Sequence, residues 1–95
     1  SNTNNPAIAS VYNNLGTVFR DKGDCRNAIE YYKISLKIRE KVYESNLNHP
    51  ELAKIHKNLG LVYSRQGSFN ESLIHFKEAL NIYSNLGHQG SMRFS

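Results

Sequence analysis

The chain has a single cysteine, Cys25, so no internal disulfide is possible. That usage is compatible with a reducing compartment, and a cytoplasmic location is the expectation. No apolar run approaches the length needed to cross a bilayer. Ser1 to Asn5 is polar and uncharged with no apolar stretch behind it, so no secretory leader is read there. Nothing alternates with period two, which removes the signature of a half-buried strand. Chemistry-bearing constellations are missing as well. His49, His56, His75 and His88 lack metal-ligand spacing, and Cys25 has no cysteine partner. Gly16 and Gly23 come without the lysine and hydroxyl of a phosphate-binding loop. Asp21, Asp24, Glu30 and Glu40 are scattered, with no paired-carboxylate arrangement. An enzyme is not expected, nor is a metal or cofactor. The net charge of +4 favours acidic partners, yet it is too small and dispersed for the basic stripe of a nucleic-acid binder.

What is present is repetition. Pro6, Ala9, Asn14, Leu15, Gly16, Val18, Gly23, Lys33, Leu36 and Ile38 return 44 residues later as Pro50, Ala53, Asn58, Leu59, Gly60, Val62, Gly67, Lys77, Leu80 and Ile82. Apolar neighbours exchange only for similar ones: Ile8 for Leu52, Val11 for Ile55, Phe19 for Tyr63, Tyr32 for Phe76. A fixed period of this size marks stacked supersecondary units, which offer an extended surface and no enclosed pocket. Binding, not catalysis, is the implied activity.

Each copy reads as two helices. Ile8, Val11, Tyr12, Leu15, Val18 and Phe19 follow the i, i+3, i+4, i+7 spacing of one helical face. Pro6 suits the first turn and Asn5 its cap. Gly23 is placed to end that helix, and Asp24 to cap the next, whose inward face carries Ala28, Ile29, Tyr32, Ser35, Leu36 and Ile38. In the second copy His49 precedes Pro50, Gly67 stops the helix, and Ser68 with Glu71 fits a capping box. The spacing predicts helices over about 6–22, 25–44, 50–66 and 69–85, paired antiparallel. Gly87 reads as a further stop. The predicted units are therefore 6–44, 50–86, and a tail at 87–95 in which Met92 and Phe94 begin a truncated third repeat or a loose end.

Gly16 and Gly60 fall mid-helix, where glycine costs roughly 1 kcal/mol relative to alanine. Close approach of the partner helix is the expected compensation, with Ala28, Ser35, Ser72 and Ala79 as its small residues.

At these residues the chain resembles tetratricopeptide repeat proteins, whose pattern runs aromatic, Leu-Gly, Tyr or Phe, small, aromatic, small. Here it is Tyr12, Leu15-Gly16, Phe19, Ala28, Tyr32 and Ser35, then His56, Leu59-Gly60, Tyr63, Ser72, Phe76 and Ala79. His56 and Cys25 depart from the aromatics expected at their places. The family's usual period is 34 residues. The longer period here is similar to the variant in kinesin light chains, as are the strings Asn13-Asn14-Leu15-Gly16 and His49-Pro50-Glu51-Leu52-Ala53. The resemblance implies an all-α fold of tandem antiparallel helix hairpins stacked as an α-solenoid.

It also implies that first helices line a concave wall. The residues off the apolar stripe would then form the site: Asn13, Asn14 and Thr17 in one copy, Lys54, Lys57, Asn58, Leu61 and Arg65 in the other. Asn14 and Asn58 stand out, because an amide can pair with a peptide backbone whatever its side chains are. In proteins resembling kinesin light chains an asparagine at this place holds an extended peptide. Lys54, Lys57 and Arg65 favour an acidic segment. The carboxylate clamp of some family members would need a lysine at Asn13 and an asparagine at Thr17, so that partner class is disfavoured. Lys33, Lys37, Arg39 and Lys41 read as a solvated outer face, and Tyr31, Tyr32, Tyr43, Tyr63 and Phe76 as packing between repeats.

The first reading is thus a scaffold or adaptor module that binds a protein or peptide partner, with no membrane span and no nucleic acid. The alternative is structural. Two repeats are fewer than a stable stack normally uses, so Ile8, Val11 and Tyr12 at one end and Ile74, Ile82 and Tyr83 at the other are expected to be exposed and to pair between chains.

Overall fold

The structure, a computed structural model, describes residues 5–91, with side chains through Gly87. It contains four helices: α1 Pro6–Asp21, α2 Cys25–Val42, α3 Pro50–Gln66 and α4 Phe69–Ser91. Local chemistry sets most of their ends. Asn5 Oδ1 accepts from the Ala7 N–H at 2.7 Å and Pro6 occupies the first turn of α1. Asp24 caps α2, accepting from the Asn27 N–H at 3.1 Å and from its side chain at 2.7 Å. Those two bonds hold the Asp24 carboxyl below its ordinary 3.8. His49 caps α3 through Nδ1, 3.1 Å from the Glu51 N–H, while its ring stacks on Tyr43. Gly23 and Gly67 take φ of 87° and 89°, the left-handed geometry that turns each chain back on itself within three residues.

Two boundaries differ from the sequence reading. Helix α2 ends at Val42, giving a longer connector to α3. Helix α4 continues through Gly87 to Ser91, past the stop read at Gly87. A glycine stops a helix only when it adopts the left-handed conformation, and Gly87 has no positive φ. Met92 and Phe94 lie outside the described residues.

The helices pair α1 with α2 and α3 with α4, and α2 packs against α3 to join the hairpins. One buried cluster, Ala28, Ile29, Tyr32, Ile55, Leu59, Val62 and Tyr63, fills the α2–α3 junction. A second, Leu52, Ala53, Ala79 and Ile82, lies between α3 and α4, with Leu36 and Tyr43 packed on it. The expectation that Ile82 is exposed is corrected here: it points back onto α3 and is buried. Ile8 and Tyr12 are half-buried, while Val11, Ile74 and Tyr83 are exposed as expected.

The repeat extends to side-chain detail. A Cβ at Gly16 would fall 2.7 Å from the Tyr32 ring, and one at Gly60 would fall 2.8 Å from the Phe76 ring. The close approach is real, but an aromatic face, not a small residue, lies on each glycine. The small residues have a separate duty. Ser72 Oγ donates to the Gly60 carbonyl at 2.8 Å, and Ser35 Oγ donates to the Ala9 carbonyl at 2.7 Å. Each hairpin therefore has one serine and one alanine at these two positions, in opposite order.

Of the rings expected to pack between repeats, Tyr32 and Tyr63 join the α2–α3 cluster and Tyr43 packs on the second cluster, while Tyr31 and Phe76 serve their own hairpins. The rings stack within hairpins more than between them: Tyr31 lies against Tyr12 and Phe19, and His75 lies against His56 and Tyr63. These are the same three positions 44 residues apart. His56 departs from the aromatic pattern because its stacking partner, Tyr31 in the first copy, is also a histidine in the second.

Candidate functional site

Helices α1 and α3 lie side by side along one wall, joined by two side-chain bonds. Asn58 Nδ2 donates to Asn13 Oδ1 at 3.0 Å near the middle. Arg65 Nη1 donates to the Arg20 carbonyl at 3.2 Å near the C-terminal ends. Between them Arg20, Leu61, Ser64 and Arg65 line a shallow depression.

Asn14 is exposed on this wall, as are Lys54, Lys57, Leu61 and Arg65. Asn58 and Asn13 are half-buried and already bonded to each other, with the Asn58 amide oxygen not used in that bond. Thr17 is different. Its hydroxyl sits 2.8 Å from the Tyr32 hydroxyl and donates to the Asn13 carbonyl at 3.2 Å, so it satisfies a buried phenol inside the first hairpin. At the equivalent positions of the second copy stand Leu61 and Phe76, where no phenol hydroxyl needs a partner.

The charges are not equivalent either. Lys54 Nζ stands 3.9 Å from Glu51 Oε2, so part of its charge is matched within α3. Arg20 contacts Asp21 at 3.4 Å. Lys57 makes no ion pair among the described residues, which leaves Lys57 and Arg65 as the cations most open to a ligand.

Arg39 does not belong to the solvated basic run expected on α2: it is buried. Its guanidinium donates to the Glu51 carboxylate and, at 2.9 Å, to Ser10 Oγ, so one α2 side chain ties α1 and α3 together. Helical spacing separates it from Lys33, Lys37 and Lys41: Arg39 continues the inward stripe of Ala28, Tyr32 and Ser35, and the three lysines lie on the opposite face. That spacing is the signal that would have found it, and Glu51, the one acidic residue in the first turn of α3, is the partner such a buried cation needs. Lys33 is engaged as well, with Nζ 5.9 Å from the centre of the Tyr63 ring.

On the α3–α4 side, His56 Nδ1 and His75 Nδ1 are 3.0 Å apart. Burial pushes both below the ordinary imidazole value of 6.5; for His75 the His56 and Lys33 charges add to this, and Glu78 opposes it at both. At neutral pH one ring donates its Nδ1–H to the other's Nδ1 lone pair. Among the described residues no group of three or more metal-ligating side chains converges here or elsewhere.

The arrangement is that of a paired-helix repeat scaffold with one open, polar, basic wall. The chain belongs to the tetratricopeptide repeat family, whose sequence profile matches residues 7–85. Comparison with curated proteins finds no match. Domains of this family generally mediate protein–protein interaction and are typically not enzymes. No helix among the described residues is long and apolar enough to cross a membrane.

Proposed function

We propose that the chain is a non-enzymatic adaptor module that holds an extended, acidic peptide segment along the wall of α1 and α3. This is the mode that its resemblance to kinesin light chains implies, and a cytoplasmic setting fits it. The observation that carries the reading is the exposed row Lys54, Lys57, Leu61 and Arg65 beside the Asn14 and Asn58 amides. Amides of this kind bind peptide N–H and C=O groups without regard to side chains, while the cations select acidic segments and speed encounter. Leu61 supplies an apolar contact beside the depression. Asn13 contributes by orienting Asn58, and Thr17 by fixing Tyr32 beneath the wall.

The geometry makes Asn14 the cleaner probe. Asn58→Ala would also break the bond to Asn13 and so lower stability slightly, whereas Asn14 is exposed. Fluorescence anisotropy with an acidic extended peptide is expected to show Asn14→Ala weakening binding by roughly 1 kcal/mol, about fivefold, with an unchanged melting temperature. Lys57→Glu should weaken the acidic peptide and spare a neutral one of the same length. Equal binding of acidic and neutral peptides by both proteins would remove the proposal.

A second reading, structural self-association through the repeat ends, is favoured by the exposure of Val11 and Val18 at one end and of Leu73, Leu80 and Tyr83 at the other.

A further inference from the structure

The repeat supplies its own control for what covers each end of the stack. Ile55, Leu59 and Val62 of α3 have 0 % exposure, because α2 lies on them. Their counterparts 44 residues earlier, Val11, Leu15 and Val18 of α1, are 58, 36 and 54 % exposed. The other end mirrors this. Ile29 and Arg39 of α2 are 8 and 5 % exposed beneath α3, whereas their counterparts Leu73 and Tyr83 of α4 are 54 and 40 % exposed. The outer face of α4 is thus the face that α2 presents to α3, and the outer face of α1 is the face that α3 presents to α2. Each open end has the other end's missing half.

We propose that a second copy of this chain docks head-to-tail, its α1 on the first copy's α4, reproducing the α2–α3 junction between molecules. This rests on the self-association reading and adds its polarity, its register and its two faces. The junction's specific contacts, moved on by one repeat, support that register. The Lys33–Tyr63 contact becomes Lys77 over Phe19, again an ammonium on an aromatic ring. The Asn58–Asn13 bond becomes Asn14 with Lys57, an amide oxygen facing an ammonium. The Arg39–Glu51 pair, whose guanidinium is buried, becomes Tyr83 against Ala7, so no charge is stranded in the contact. The Arg65–Arg20 bond and the Tyr43–His49 stack are not carried over: Asp21 stands where the donor would be, and Gly87 and Asn5 stand where the rings would be. Because the two faces are different patches, the contact is heterologous and does not close on itself; assembly should extend with concentration.

The test is complementation by two end-blocked variants in sedimentation velocity on the whole chain. Val11→Glu blocks the α1 face and Leu80→Glu the α4 face; both side chains are exposed, and helical circular dichroism checks each fold. Val18→Lys and Leu73→Lys serve as a second pair should either lose helix. The wild type is expected to gain mass continuously with concentration. Each variant alone is expected to remain at the 10.8 kDa chain mass, and an equimolar mixture to give a species of twice that mass and none larger. Should one variant alone still dimerise, the contact is symmetric: self-association stands and the head-to-tail geometry falls. Should both variants and their mixture stay monomeric while the wild type assembles, the geometry also falls. A wild type that is monomeric up to millimolar concentration overturns both.

Discussion

Gly60 and Gly87 are both helical glycines, and their surroundings give substitutions there opposite signs. A Cβ on Gly60 would meet three atoms of the Phe76 ring at 2.8 to 2.9 Å. The ring cannot swing clear of all three, so it must move bodily and open the interface behind it. A Cβ on Gly87 meets nothing within 4 Å. Alanine gains roughly 1 kcal/mol over glycine inside a helix, while overpacking a tight contact costs roughly 1–3 kcal/mol. Gly60→Ala should therefore lower unfolding free energy by about 1 kcal/mol, and Gly60→Leu by more. Gly87→Ala should raise it by up to about 1 kcal/mol. Urea unfolding of the variants checks this, and a stabilised Gly60→Ala would show that the Phe76 ring does not hold the position. The sequence announced that close approach, because two mid-helix glycines recur in register. What it did not show was the partner: a ring three or four residues along α4 reaches the glycine better than the small residues do.

Among the elements, the α3–α4 hairpin carries a titratable contact that the α1–α2 hairpin lacks. His56 and His75 take the places of Tyr12 and Tyr31 in the ring stack. Burial disfavours their charged forms, and Lys33 adds to this at His75; Glu78 facing both, Glu40 near His56 and Glu71 near His75 work the other way. Since both folded values lie below the ordinary 6.5, the unfolded chain takes up protons more readily. The stabilisation is then full above about pH 6.5 and is lost as pH falls through the folded values. Protonation of both rings also removes the acceptor from the Nδ1 contact. The melting temperature should drop by a few degrees between pH 7 and the mid-fives, within roughly the range where imidazoles titrate. In a His56→Tyr, His75→Tyr variant, which copies the first hairpin, that part of the pH dependence should vanish. An identical pH profile in the two proteins would assign the effect to other groups. Helix positions were legible along both hairpins because caps and periodicity are local in the chain. The pairing of the two histidines was not, since it depends on which rows face each other across an interface.

Over the whole molecule, stability in a stacked repeat is the sum of each hairpin's own stability and the interface between them. Here that interface combines one apolar cluster with one buried arginine. Arg39 reaches Glu51 on α3 and Ser10 on α1, 12 and 29 residues away, contacts that a reading of α2 alone does not reveal. The same Glu51 carboxylate stands 3.9 Å from the exposed Lys54 Nζ, so it faces a cation on each side. Removing the guanidinium leaves Glu51 partly solvated, so the loss is smaller than for a sealed ion pair, yet two charge-assisted bonds go with it. Arg39→Ala should cost roughly 2–3 kcal/mol and loosen the register of α1 against α3. Arg39→Met, which refills the space without charge, should recover much of that. Lys37→Ala, two residues away on the opposite, exposed face, should change stability by no more than about 0.5 kcal/mol. Hydrogen exchange resolves the mechanism: under Arg39→Ala, protection should fall in both α2 and α3 together, because the side chain couples them. A loss confined to α2 would mean that Arg39 only supports its own helix, and the hairpins are held by the apolar cluster alone.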